Sequence, residues 1–306
     1  MRCRHCGRNN PDSLDSSAAG DWPLEPKFGQ GTREPQLMEL KALTLSYLDD
    51  LSTAISSSTD AAFVRSRLNF LLDYYQVINY DMRYDRAFWR VRKCPTDAGF
   101  ERLSELSHPP AEHTVAGRMN EKNCPVLYLS ANLMSTFEEV GAAQGDYLHC
   151  VGFQLRPNES LRCGMIGEIA HVHRWGAGLT SEVIGQLINQ QLDRMPHDFG
   201  KSFVFTDAFL SSILKDTSAR TTEYLHSRTL ASLLFERSPR IDAIAYSGVA
   251  SEASRNYAVK PLAAERALDI SGNTVIKITK KYKFGMYDFE VVRDARGFEF
   301  DGRIVW

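Results

Sequence analysis

At 306 residues, with 43% hydrophobic and 24% charged residues, the chain has ordinary globular composition and enough length for a sizeable core plus an appendage. A formal net charge of −2 provides no basic field that would argue for nucleic acid as a partner. No apolar run approaches the ~18 residues of a membrane span, and Met1-Arg2-Cys3-Arg4-His5-Cys6 lacks the apolar core of a signal peptide, so a soluble, cytoplasmic protein is expected.

The first segment, residues 1–35, carries Cys3 and Cys6 and then a stretch rich in Ser, Gly, Pro and charge that reads as a linker. Two thiolates at this spacing form a zinc half-site. With no second pair nearby, the favoured reading is two free thiols, and a zinc knuckle completed from elsewhere is the alternative. The other four cysteines are scattered, as in a reducing compartment.

Residues 36–80 are expected to form a helical hairpin. Leu37, Leu40, Tyr47, Leu48, Leu51 and Ile55 make one apolar stripe and Phe63, Leu68, Leu71, Leu72 and Tyr75 another, separated by the capping cluster Ser58-Thr59-Asp60. Its stripe is expected to pack on the domain that follows, residues 81–306.

That domain opens with the strand-like run Phe88-Trp89-Arg90-Val91-Arg92. It continues through Gly117-Arg118-Met119-Asn120 to the apolar strand Pro125-Val126-Leu127-Tyr128-Leu129-Ser130 and an amphipathic helix carrying Phe137-Glu138-Glu139-Val140. An arginine fork matches a phosphate bidentately, as lysine cannot, so Arg90 and Arg118 read as a pyrophosphate clamp. Arg92 shares a strand face with Arg90 and stands as its alternate. Tyr128 offers an aromatic face and a hydroxyl. Glu139 is placed to stabilise an oxocarbenium-like centre or hold a ribose hydroxyl, with Glu138 its neighbour.

Further along, residues 147–156 and 162–173 read as neighbouring strands, the second carrying His171 and His173 on one face as edge histidines or, less simply, a metal pair lacking a third ligand. Residues 181–195 read as a helix, Phe203-Val204-Phe205 as a buried strand, residues 207–214 and 221–236 as helices, and residues 241–247 as a strand that presents Tyr246 and Ser247 to a cleft. No nucleophile-elbow pattern surrounds Ser247, which suits a positioning hydrogen bond better than a nucleophile. The tail is expected to be a meander, with strands near residues 275–278, 287–292 and 298–306, and with Lys280-Lys281-Tyr282-Lys283 as a lysine-protected sheet edge.

These pieces, in this order, resemble the RES domain family, named for its arginine, glutamate and serine. Trp89-Arg90-Val91 matches the first arginine, Gly117-Arg118-Met119-Asn120 the glycine-arginine turn, Tyr128 the strand tyrosine and Glu139 the acidic residue. Ile244-Ala245-Tyr246-Ser247-Gly248-Val249 matches the strand ending in tyrosine and serine, with Asn256 and Lys260-Pro261 following. Met119 stands where toxin-type members usually have tryptophan.

The resemblance implies a mixed α/β fold similar to the ADP-ribosyltransferases, with split sheets gripping NAD+. It implies an enzyme that breaks the nicotinamide–ribose bond and a toxin that depletes NAD+ until a cognate antitoxin silences it. Arg90, Arg118 and, as alternate, Arg92 would hold the pyrophosphate, Asn120 would also contact NAD+, and Tyr128 would stack on or hydrogen-bond its nicotinamide side. Glu139 would stabilise the developing charge, and Tyr246 and Ser247 would orient the ribose or carboxamide. No Gly-x-Gly-x-x-Gly fingerprint follows a strand, so NAD+ would be consumed and not used as a hydride carrier. ADP-ribosylation of a protein target and a non-catalytic scaffold are the alternatives, and a homo-oligomer stays open.

Overall fold

The structure, a computed structural model, describes residues 42–248 and 254–306. The expected hairpin is present as α1 (Leu45–Ser57) and α2 (Ala61–Asp73). The turn between them is set by Asp60, whose side chain accepts from the N–H groups of Ala62 (2.8 Å) and Phe63 (3.3 Å), filling two of the donors a helix start leaves open.

In chain order there follow β1 (Ile78–Met82), β2 (Phe88–Cys94), β3 (Leu127–Ser130), α3 (Leu133–Glu139), β4 (Tyr147–Leu155), β5 (Leu161–Met165), α4 (Glu168–Trp175), α5 (Glu182–Arg194), α6 (His197–Lys215), α7 (Leu225–Arg237), β6 (Ala243–Ser247), β7 (Arg255–Val259), α8 (Pro261–Ala267), β8 (Leu268–Lys281), β9 (Tyr287–Asp294) and the two-residue strands β10 (Gly297–Phe298) and β11 (Ile304–Val305).

Among the described residues nine strands make one mixed sheet in the order β1-β5-β6-β7-β3-β2-β4-β8-β9, so the chain is α/β as expected. Every pairing is antiparallel except β5 with β6. Rather than two separate sheets, the split falls inside this order: β2 meets β3 through the single pair Trp89 and Ser130, whereas β2 pairs with β4 along its whole length. The sheet is pinched there, one residue from Arg90.

Three apolar clusters hold the layers. On one face Leu48, Leu51, Ile55, Leu68 and Leu71 of the hairpin pack with Leu210, Leu230 and Leu234 of α6 and α7 and with Ile244, Tyr246 and Ala258 of the sheet. The hairpin stripe therefore closes onto the core of the domain. The opposite face is covered by a second cluster around Phe88, Leu129, Val151 and Tyr257. A third lies under α3, where Phe137 packs among Val91, Leu148 and Tyr287.

Several expected elements need correction. Phe203-Val204-Phe205 is not a strand but part of α6, where Phe199 stacks on Phe203 one turn away and Ser202, Thr206, Asp207 and Leu210 form the buried stripe. The strand expected over residues 162–173 ends at Met165, and Gly167, at φ +87°, turns the chain into α4. His171 and His173 therefore lie on a helix and do not share a face; His173 is exposed. The tail keeps β8 and β9 as a hairpin, but its last expected strand is broken into β10 and β11, which pair only with each other.

Candidate active site

The turn that carries Arg118 is built around Gly117. The Gly117 N–H donates to the Asn120 carbonyl (3.0 Å), and a Cβ on Gly117 would lie 2.6 Å from Asn120 Oδ1 and 3.0 Å from the Tyr128 hydroxyl, so only glycine allows this approach. Asn120 is buried and donates to the carbonyls of Val115 (2.8 Å) and Glu121 (2.9 Å). The Tyr128 hydroxyl donates to Asn120 Oδ1 (2.8 Å) and accepts from the Met119 N–H (2.9 Å). That hydroxyl is thus committed to holding the turn, which leaves the ring for a ligand. Burial pushes its pKa up to about 12.

Arg90, Arg118, Asn120 and Tyr128 line one cavity of about 390 Å³, together with Val126 and Tyr224. This lies within the size range of ligand pockets. Arg118 Nη1 donates to the carbonyls of Leu214 (3.0 Å) and Asp216 (2.8 Å) at the end of α6, and its guanidinium lies 5.5 Å over the Tyr224 ring. One corner of the fork is spent on the protein, and the rest borders the cavity. Tyr224 itself sits in the left-handed region, at φ 60°.

Arg90 is held from below, its Nη1 donating to the Tyr128 carbonyl at 3.4 Å. Its Nε is buried with no hydrogen-bond partner, and no carboxylate pairs with it among the described residues. Burial, and then the neighbouring Arg92, lower its pKa to about 10, so it is still a cation at neutral pH. Arg92 takes a different course: it donates to the Glu105 carbonyl, lies 4.7 Å over the Phe100 ring and does not line the cavity.

Glu139 ends α3, which Asn132 starts by accepting from the N–H groups of Met134 (2.8 Å) and Ser135 (3.3 Å). The two adjacent glutamates separate cleanly. Glu138 accepts from the Tyr287 hydroxyl and pairs with Lys281 (3.2 Å), tying α3 to the β8–β9 hairpin. Glu139 turns the other way and accepts from the side-chain amide of Asn256. Although exposed, its carboxyl is surrounded by protein on most sides, as at the wall of an open cleft. Desolvation raises its pKa, offset in part by the Asn256 hydrogen bond and the charge of Arg118.

Asn256 lies opposite both Ser130 of β3 and Tyr246 of β6. Tyr246 is buried, and desolvation followed by the charge of Glu139 holds its phenol well above the usual range. Arg118, Tyr128, Glu139, Asn256 and Tyr246 are therefore within electrostatic reach of one another. Ser247 is buried at the end of β6 but lines a different cavity, between α4 and α6.

The family model of the RES domain matches residues 87–276, well over half of the chain. The chain belongs to the RES domain family. RES proteins are generally linked to NAD-related toxin function. The matched span contains Arg90, Arg118, Glu139 and Ser247, while α1, α2, β1 and β9 to β11 lie outside it. Searches of curated proteins and of solved structures return no match.

Two neighbours of these side chains carry no site role in the sequence reading. Asn256 was legible only as part of a motif, although an asparagine inside a buried strand is itself a signal. Tyr224 had no local signal. Among the described residues no group of three or more His, Cys, Asp or Glu is placed to hold a metal ion, and Cys3 and Cys6 lie outside them. No described helix is long and apolar enough to cross a membrane.

Proposed function

We propose that this RES-domain protein consumes NAD+ by cleaving the bond between nicotinamide and its ribose, acting as a cytoplasmic toxin that depletes the dinucleotide. The observation that carries this reading is Arg90, a half-buried guanidinium whose Nε is buried and without a hydrogen-bond partner, bordering the same cavity as Arg118. A buried cation without an acid partner is costly unless a ligand completes it, and two arginine forks suit a pyrophosphate.

Strands β2, β3, β7 and β6 are consecutive neighbours. At ~4.8 Å per step they span about 14 Å, a length suited to an extended dinucleotide. Lying across them, NAD+ would meet Arg90 and Arg118 at its pyrophosphate, the Tyr128 ring beyond Asn120, then Glu139 and Asn256, then Tyr246 and Ser247. The pinch between β2 and β3 supports an ADP-ribosyltransferase-like grip on the ligand.

In the reaction the C1′–N bond breaks with its electron pair going to nicotinamide, which leaves neutral, and positive charge develops on the ribose. The Glu139 carboxylate stabilises that charge. Asn256 holds Glu139 with its amide, and its buried Oδ1, which has no protein partner, is available to a ribose hydroxyl. An acceptor then adds to C1′.

The exposure of Glu139 favours one second reading, in which the open cleft admits a protein acceptor and ADP-ribose is transferred to it. The two are separated by incubating the protein in cell lysate with NAD+ labelled in its adenylate half. Label in small products supports NAD+ depletion, label on a macromolecule supports transfer, and intact NAD+ leaves a non-catalytic scaffold. A cognate antitoxin covering the cleft is the partner such a toxin calls for.

A further inference from the structure

The geometry points to Tyr224 as a positioning residue that seats Arg118 in the cavity wall, so that the part of its guanidinium not bound to the protein meets the pyrophosphate. This rests on the reading of Arg118 as half of a pyrophosphate clamp. It adds a residue that lies in none of the sequence motifs which carry the family resemblance.

Tyr224 is a poor choice for the helix that it starts. It stands immediately before α7 at φ 60° and ψ 26°, and Glu223 before it has φ 49° and ψ 36°. Among the described residues these two are the only consecutive non-glycine pair at positive φ. The left-handed region is unfavourable for a residue with a Cβ, asparagine and aspartate being the usual exceptions. A helix start also favours Ser, Thr, Asp or Asn, whose side chain accepts from the first open N–H groups; the Tyr224 side chain makes no such bond. The backbone nevertheless fixes this conformation, with the Tyr224 N–H donating to the Ala219 carbonyl (2.7 Å) and the Arg228 N–H donating to the Tyr224 carbonyl (2.9 Å). A residue held against two local preferences at a cavity wall points to function.

What the bent connection between α6 and α7 achieves is a seat for Arg118. From the end of α6 the carbonyls of Leu214 and Asp216 hold Nη1, and from the start of α7 the Tyr224 ring lies 5.5 Å from the guanidinium. Asp216 is itself fixed, its carboxylate accepting from the N–H (2.8 Å) and the hydroxyl (2.7 Å) of Ser218. Arg228, one turn into α7, pairs with Glu121 at 3.2 Å and so ties the same helix to the segment that follows the Gly117 turn. A free arginine loses much rotamer freedom when it closes on a ligand. Two carbonyls and a ring that order Arg118 beforehand remove part of that cost. The ring face supplies the contact with the cation, and the hydroxyl is not needed for it.

The test is calorimetric titration of the full chain with ADP-ribose, which carries the pyrophosphate and has no nicotinamide bond to break. Tyr224→Leu, which keeps apolar bulk but loses the ring, is expected to weaken binding by at least about fivefold, and Tyr224→Phe to restore it. In an Arg118→Gln background Tyr224→Leu is expected to cost nothing further, because its effect passes through Arg118; a role in folding alone would lower Tm without this dependence. Tyr224→Asn, which accepts the left-handed backbone, is expected to show the same loss of affinity even if Tyr224→Leu fails to fold. No binding of ADP-ribose by the wild type would overturn the clamp and the role of Tyr224 together. Wild-type binding that Tyr224→Leu and Tyr224→Asn leave unchanged, or a loss that persists in full in the Arg118→Gln background, would overturn the role of Tyr224 and leave the clamp standing.

Discussion

The side-chain amide of Asn256 on β7 donates to the carboxylate of Glu139 at the end of α3, joining residues 117 positions apart. This hydrogen bond lowers a Glu139 pKa that desolvation raises. If the ionised carboxylate is the active form, activity falls as pH drops through a pKa above the ordinary glutamate value of ~4.3. Asn256→Ala removes the lowering contribution and is expected to move this acid limb to higher pH. A pH profile of NAD+ cleavage checks the direction, and an unmoved limb would count against Glu139 as the titrating group.

Arg90 and Arg92 make different predictions because only Arg90 lines the cavity. Charge-assisted hydrogen bonds are worth about 1.5–3 kcal/mol, so Arg90→Ala is expected to weaken NAD+ binding by about ten- to a hundredfold. Arg90→Lys should recover only part of this, since lysine is a point charge and not a fork. Arg92→Ala should stay within a few fold. Calorimetric titration with NAD+ distinguishes them, and the reverse ranking would assign the clamp to Arg92.

His149 gives an acid sensitivity unrelated to the site. Its Nδ1 accepts from the Phe100 N–H (3.0 Å), so Nε2 carries the proton shared with Asn273, and burial lowers its pKa. The unfolded chain takes up this proton near pH ~6.5 and the folded one only lower. The stability His149 contributes is therefore present above about pH 6.5 and lost as pH falls below it. His149→Gln is expected to flatten the fall in Tm between pH 7 and 5; parallel curves would refute this.

Tyr75 links the N-terminal hairpin to α6 through its bond to the fully buried Asp207. Tyr75→Phe leaves that carboxylate one donor short, at a cost of about 2 kcal/mol. Thermal unfolding should show a Tm lower by several degrees. An unchanged Tm would mean another group replaces the hydroxyl.

The sequence made the hairpin, β2, β3, α3 and β4 legible because each carries its own period and its own cap, such as Asp60 or Asn132. β1 carries a signal too, with Ile78, Tyr80 and Met82 alternating against Asn79 and Asp81, but over five residues only. α4 was misread because a two-turn helix shows hardly more periodicity than a strand, and Gly167 was its real marker. β7 was not recognisable locally: it opens with Arg255 and Asn256, both buried, and these are tolerated only because Glu168 and Glu139 meet them from distant segments. The Arg90–Arg118 cavity followed from residue types, whereas the commitment of the Tyr128 hydroxyl to the Gly117 turn and the placement of Ser247 in a second cavity required three dimensions.

The central claim is that Glu139 stabilises positive charge as nicotinamide leaves. Its most direct test is the release of free nicotinamide from NAD+ by purified protein, followed by chromatography for wild type and Glu139→Gln, with and without phosphate. The account predicts release by the wild type and a loss of at least about a hundredfold, or ~2.7 kcal/mol of transition-state stabilisation, in a variant that keeps the wild-type fold. Equal release by both proteins would contradict it.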